Sequence, residues 1–316
     1  MKNATEITKS IIENISKVIV GKKEAAEMLL VCLLSEGHVL IEDVPGVGKT
    51  SLVSAMAKSV DCSFKRIQFT PDIMPSDITG FSMYNQKTNN FEFRPGMVMS
   101  SFVLADEINR TAPKTQASLL EVMEEGQVTV DGVTYPMEKP FIVMATQNPT
   151  EYLGTYPLPE AQVDRFFMRI SLGYPGIEDE NEILRRHKTS NPLDTLEPVT
   201  TGAEIIELQR AVREVKVDDS LYEYVVKLIH YTREHTDVEL GASPRGSLSL
   251  FRAAQAYAFC AGRDYVLPDD IKLMAEPVLV HRVTLTQEAR MRGRTPGSII
   301  KDALRQTAVP AVSTNG

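Results

Sequence analysis

Residues 39–50 run from an apolar stretch, Val39-Leu40-Ile41, through Glu42-Asp-Val-Pro-Gly-Val-Gly48 into Lys49-Thr50. A second apolar stretch, Phe102 to Ala105, ends on two carboxylates, Asp106 and Glu107. Together they constrain the fold more than anything else in the chain. The first is a glycine-bearing loop between a strand and a helix. Backbone N–H groups at Gly46, Gly48 and the helix start can cradle an anion there. In a loop of this kind, built from Asp43, Val44, Pro45, Gly46, Val47, Gly48, Lys49, Thr50 and Ser51, the lysine reaches the β- and γ-phosphates and the threonine ligates Mg²⁺. Asp106 would then hold the metal through water, and Glu107 would polarise the attacking water. The pattern G-x-x-x-x-G-K-[ST] has one departure, Asp43 in place of the first glycine. Aspartate tolerates a left-handed backbone better than most residues, which would preserve the turn. Its charge falls close to the expected triphosphate unless it is turned away or paired.

The rest of the chain supplies the elements around this pair. Ile7, Ile11, Ile15 and Ile19 fall at helical spacing, as do Ala26, Leu29, Leu30, Leu33 and Leu34. Further strands are predicted at Phe64–Phe69, Phe141–Ala145 and Phe167–Leu172. Strands separated by helices imply a parallel sheet with helices on both faces. In an open parallel sheet every strand C-terminus lies on one edge, where ligands bind. Sequence order alone therefore brings together Gly46 to Thr50, Asp106-Glu107 and Gln147-Asn148. Asn148 at its strand end is a candidate sensor orienting the lytic water, or a simple cap before Pro149.

Two segments interrupt this plan. Residues 71–100 are rich in Pro, Gly, Asn and aromatics, with Phe91-Glu-Phe93 alternating before Arg94-Pro-Gly96. Residues 127–136 alternate β-formers around Asp131-Gly132, a strong hairpin signal. After Tyr174-Pro-Gly176 helical periodicity takes over. Leu221, Tyr224, Val225, Leu228, Ile229 and Thr232 mark one helix, Ser243-Pro244 starts a second and Pro268 opens a third. The expected division is residues 1–174, an α/β nucleotide-binding domain, and 175–316, a helical domain. The tail Ser313 to Gly316 is expected to fray.

The 43% hydrophobic and 24% charged composition is that of an ordinary globular protein. A net charge of −8 argues against a dedicated nucleic-acid binder. Cys32, Cys62 and Cys260 lack metal spacing and read as reduced, buried thiols, which fits the cytoplasm. The polar start Met1–Glu6 has no signal-peptide core, and no apolar run is long enough to span a bilayer. His38, His187, His230, His235 and His281 show no catalytic or metal pattern.

The stretches Glu42–Thr50, Ala105-Asp-Glu-Ile-Asn-Arg-Thr111, Ala145-Thr-Gln-Asn-Pro149, Leu158-Pro-Glu-Ala-Gln-Val-Asp-Arg-Phe166 and Gly241-Ala-Ser-Pro-Arg245, in this order, make the chain resemble the MoxR family of AAA+ ATPases from about residue 10 to 300. Asp43 looks like a variant common there. The resemblance implies a P-loop parallel sheet of order 5-1-4-3-2 with helices on both faces and a C-terminal helical lid. It also implies a homo-oligomeric ring, usually a hexamer. Residues 71–100 look like the family's second-helix insert, and 127–136 like the hairpin before its sensor strand. Both would face one side of the ring or line its pore. The implied activity is Mg²⁺-dependent ATP hydrolysis that remodels or matures a client, often with a von Willebrand factor A domain partner. Arg165 becomes the candidate arginine finger, with Arg110 as its competitor. Arg245 resembles a sensor touching the γ-phosphate of its own subunit. Val20 and Gly21 are candidate adenine contacts, or an ordinary turn. Three other readings stay open: a nucleic-acid motor, a non-hydrolysing nucleotide switch, and a magnesium-chelatase-like motor subunit.

Overall fold

Helices Lys2–Ser16 and Lys23–Leu34 precede β1 (Val39–Glu42), and helix Lys49–Ser59 leads to β2 (Phe64–Gln68). A short helix, Pro75–Thr79, opens the first insert, followed by β3 (Gly80–Asn85) and β4 (Asn90–Pro95). β5 (Phe102–Asp106) and helix Pro113–Glu125 come next, then β6 (Gln127–Val130), β7 (Val133–Pro136), β8 (Ile142–Gln147) and β9 (Met168–Ile170). This computed structural model describes residues 2–148, 154–188 and 190–310. The tail expected to fray, and Pro149 of the third motif, lie outside them.

The main sheet is parallel in the order β2-β5-β8-β1-β9, the order the resemblance implies. Alternation sorts its side chains. Val39, Ile41, Phe102, Leu104, Ile142 and Met144 enter one core with the first three long helices. Leu40, Val103, Ala105, Val143 and Ala145 enter a second core with Leu119 and Leu120 of helix Pro113–Glu125. Both faces are covered, which is why these strands read as continuous apolar runs. The first core continues into helices Gly202–Arg213, Asp219–Glu234, Pro244–Cys260 and Pro268–Leu279. The six residues at helical spacing from Leu221 to Thr232 are all buried on one face of Asp219–Glu234. The helical region also carries a short ribbon, β10 (Val238–Leu240) with β11 (Thr284–Leu285), which its sequence did not announce.

Both interruptions are hairpins. β6 and β7 turn at Asp131 (φ 49°) and Gly132 (φ 79°), two left-handed residues matching the twist of the strands. β3 pairs with β4, and Phe93 of β4 stacks on Tyr135 of β7 with ring centroids 3.9 Å apart and planes 11° from parallel. The two hairpins therefore touch each other.

His38, just before β1, is buried. Its Nδ1 accepts the Val143 N–H at 3.0 Å, so its proton sits on Nε2, 2.8 Å from the Met123 carbonyl. Burial pulls its pKa down to about 4, below the free value of 6.5. The folded chain thus binds fewer protons than the unfolded chain between those values. The contribution is complete above pH 6.5 and is lost as pH falls towards 4. At about 1.4 kcal/mol per unit, the loss from this residue is about 3 kcal/mol. Urea midpoints at pH 7, 5.5 and 4.5 should fall less steeply in His38→Gln than in the wild type. Parallel pH dependences would show that His38 is not responsible.

Candidate functional site

The register lines up the strand ends. Gln68 lies beside Asp106, Ala105 beside Ala145, and Glu42 beside Gln147. One sheet edge thus carries Gln68, Asp106-Glu107, Thr146-Gln147-Asn148 and Glu42-Asp43 in spatial sequence.

The loop leaving β1 has left-handed backbone at Gly46 (φ 84°) and Gly48 (φ 91°), and a Cβ on either would meet nothing within 4 Å. The loop is open to an incoming group, and its glycines are needed for conformation rather than for lack of space. Gly48 caps helix Lys49–Ser59, so the first N–H groups of that helix face the loop. Lys49 Nζ donates to the Asp43 carbonyl at 3.1 Å, which holds the ammonium over the loop.

Asp43 does something other than expected. It is absent from the left-handed residues, so it does not replace a glycine by conformational tolerance. It is buried, and its carboxylate accepts the N–H of Leu172, the N–H of Gly173 at 3.1 Å and the hydroxyl of Ser171 at 3.2 Å. The charge is turned away from the loop and fixes the loop to the segment leaving β9. Glu42 similarly accepts from Gln147 and pairs with Arg169 at 2.8 Å.

Asp106 and Glu107 are joined by a residue the sequence did not flag. Thr146 Oγ1 donates to Asp106 Oδ1 at 2.6 Å and accepts the Glu107 N–H at 2.8 Å. That bond holds Glu107 in left-handed backbone (φ 59°, ψ 49°), a conformation that costs a non-glycine residue about 1–3 kcal/mol. Asp106 Oδ2 also accepts Arg66 Nε at 3.0 Å. The Glu107 carboxylate accepts Gln68 Nε2 at 2.7 Å and pairs with Arg110 at 3.4 Å. Asn148 stands half-buried at the end of β8, next to this group.

On the other side of the loop a cavity of about 220 Å³ is lined by Val18, Val20, Gly46–Gly48, Ser51, Pro175, Ile183, His187 and Asn191, among others. Val20, one of the two candidate adenine contacts, is in that lining. Gly21 is not part of the lining. Its backbone is left-handed (φ 70°), so glycine is favoured there by conformation. His187 and Asn191 are the unforeseen members of this wall.

The remaining arginines lie elsewhere. Met168 opens β9 beside Val39, the first residue of β1. Arg165 therefore sits at the strand-start edge, opposite the edge that carries the loop. Its Nη1 pairs with Glu124 at 2.9 Å and donates to the Leu120 carbonyl at 3.2 Å. Arg245, in the first turn of Pro244–Cys260, pairs with the same Glu124 at 2.6 Å. The reading of Arg245 as a contact to its own subunit's γ-phosphate does not fit, because it accompanies Arg165 rather than Lys49. Beneath them Asp164 accepts from Ser243 Oγ at 2.9 Å and from Arg282 Nε at 2.9 Å. The Arg282 guanidinium is buried and also bonds the Phe166 and Phe167 carbonyls, at 2.7 and 3.1 Å. Burial lowers its pKa to about 10, so it stays charged at neutral pH.

A family model described as "ATPase family associated with various cellular activities (AAA)" matches residues 38–168, and an AAA lid domain model matches 230–303. The chain is 43% identical over 311 residues to "Chaperone MoxR1" of Mycobacterium tuberculosis, covering 96% of this chain and 82% of that protein. The chain belongs to the MoxR family of AAA+ ATPases. It is also 54% identical over 299 residues to the uncharacterized protein YeaC of Bacillus subtilis, covering 95% and 93% of the two chains. A crystal structure of a candidate ATPase from Cytophaga hutchinsonii superposes with a TM-score of 0.92 at 42% identity, over 98% of this chain and 96% of that one.

For a MoxR-family chain the donor set fits ATP and Mg²⁺. The open glycine loop with its lysine suits a polyphosphate, and Thr50 with Asp106 suits a hard cation that keeps most of its waters. Among the described residues no cluster of three or more His, Cys, Asp or Glu could hold a metal by itself. No described helix is long and apolar enough to cross a membrane. The three cysteines are free; Cys32 is buried, and Cys62 and Cys260 are partly exposed rather than buried as expected.

Proposed function

We propose that this chain is a Mg²⁺-dependent ATP hydrolase acting in an oligomeric ring, usually a hexamer in this family, to remodel or mature a client protein in the cytoplasm. The observation that carries the reading is the shared sheet edge. There the open loop of Gly46 to Thr50 and the Asp106–Thr146–Glu107 group sit on neighbouring strands, fixed by register. The cavity bearing Val20 would take the base, and the loop N–H groups with Lys49 would hold the phosphates. Thr50 and Asp106 would hold Mg²⁺, which supplies charge neutralisation at the β- and γ-phosphates. Glu107, released from Gln68 and Arg110, would accept a proton from the water that Asn148 orients. Arg165 and Arg245 lie on the opposite edge, so in this reading they serve a neighbouring subunit. Residues 1–174 are then the nucleotide-binding unit and 175–316 the lid.

Phosphate release from ATP by the purified chain, with Mg²⁺ and with a chelator, tests the proposal. Release that needs Mg²⁺ supports it. Nucleotide binding without release in every assembly state would leave only a switch.

The stacked hairpins supply no phosphate or metal ligand. They would carry the output to the client or to a von Willebrand factor A domain partner. Truncating 82–92, or shortening the turn at Asp131-Gly132, should leave basal turnover within about threefold while abolishing stimulation by that partner. Folded truncations that lose basal turnover but keep partner binding would place the hairpins in the active site or the ring contact instead.

A further inference from the structure

We propose that Glu124 is a positioning residue for hydrolysis, gathering the Arg165 and Arg245 guanidinium groups into one unit presented to the neighbouring subunit. This rests on the reading above, that both arginines act across a subunit boundary.

The two arginines come from elements 80 residues apart in sequence, the turn before β9 and the first turn of helix Pro244–Cys260. Among the described residues they meet at Glu124, whose Oε2 takes Arg165 and whose Oε1 takes Arg245. One carboxylate between two guanidinium groups leaves a net positive charge. Without it two like charges would share a small surface and swing apart, since both side chains are long and flexible. With it the pair is suited to a doubly or triply charged phosphate.

Stability does not account for Glu124. The side chains of Arg165, Arg245 and Glu124 are 34%, 41% and 38% exposed. Ion pairs at that exposure contribute about 0–1 kcal/mol. Glu124 also stands in the last turn of helix Pro113–Glu125, where a negative charge opposes the helix dipole. The backbones are fixed independently, through Asp164 with Ser243 and Arg282. Glu124 therefore controls only where the two guanidinium ends point. A misplacement of about 1 Å can cost about 10²-fold in rate. Glu124→Ala should fold normally, keep its nucleotide affinity and lose about 10- to 100-fold in kcat.

The test uses two differently tagged full-length chains, co-expressed and purified through both tags, with ATP turnover as the readout. Glu124→Ala paired with Lys49→Ala should recover turnover well above either variant alone, because the intact pocket of the first meets the intact arginine pair of the second. Glu124→Ala paired with Arg165→Ala should show no more turnover than Glu124→Ala alone. The reverse pattern would mean that Glu124 serves its own subunit's pocket and would overturn the proposal. So would wild-type turnover in Glu124→Ala, an undiminished effect of Glu124→Ala in an Arg165→Ala/Arg245→Ala background, or the absence of any doubly tagged complex. Failure of the underlying reading shows separately: Arg165→Ala paired with Lys49→Ala would then recover nothing.

Discussion

Glu107→Gln is expected to bind ATP with near wild-type affinity and to hydrolyse it about 10²- to 10⁴-fold more slowly, the usual worth of a positioned general base. The amide keeps the size and removes the group that accepts the water's proton. The supports around it should survive. Thr146 holds the backbone N–H of residue 107 and the Asp106 carboxylate, neither of which the substitution touches. Lys49, Thr50 and Asp106 keep their places, so the metal and phosphates still bind in this reading. Equilibrium binding of a labelled nucleotide alongside single-turnover hydrolysis separates the two effects. Turnover within a few-fold of wild type would remove Glu107 from the base role. Lost binding at normal stability would make it a structural ligand of the site.

Arg165→Ala is expected to lower hydrolysis by about 10³- to 10⁵-fold, the range for an arginine supplied by a partner molecule in GTPases, with nucleotide binding retained. The geometry explains both halves of that expectation. Arg165 lies at the strand-start edge with Glu124 and Leu120, so its loss leaves its own loop intact. Mixing it with Lys49→Ala should restore part of the activity, because some interfaces then join an intact pocket to an intact arginine. Arg110 is the contrasting case. It pairs with Glu107 of its own chain, at the loop edge. If mixed assemblies form and recover nothing, Arg165 acts within its own subunit or only in folding, and Arg110→Ala becomes the variant to measure.

Much of the fold was legible because its signals are local. Val39–Ile41, Phe102–Ala105 and Phe141–Ala145 are apolar runs of strand length, as strands buried on both faces must be. Asp131-Gly132 marks its own turn, since both residues adopt left-handed backbone there. The edge strand β2 was weaker in sequence because Lys65, Arg66 and Gln68 face solvent. In the first insert the Phe91–Phe93 alternation showed one strand of the hairpin but not its partner, Gly80–Asn85. That partner is a two-stranded ribbon's second half, whose pairing rather than composition makes it a strand.

The sequence by itself determined the chemistry at the sheet edge. A loop between strand and helix, and carboxylates at a strand end, follow from residue type and order, and a parallel sheet must bring such ends to one side. Side-chain pairing between distant elements was decided only by tertiary structure. Asp43 looked like a replaced glycine with a troublesome charge; in the fold its carboxylate binds the N–H groups of Leu172 and Gly173 and leaves the loop clear. Thr146 was one of many threonines until register set it beside Asp106 and Glu107. His187 showed no catalytic or metal pattern in sequence, and it lines the cavity beside Gly46. Glu124 is an ordinary surface glutamate in sequence. It gained two arginines because helix Pro113–Glu125, the turn before β9 and helix Pro244–Cys260 converge at the edge opposite the loop. A residue's type and local period fix its element and face, but the partner it meets depends on the packing of whole elements brought together from across the chain.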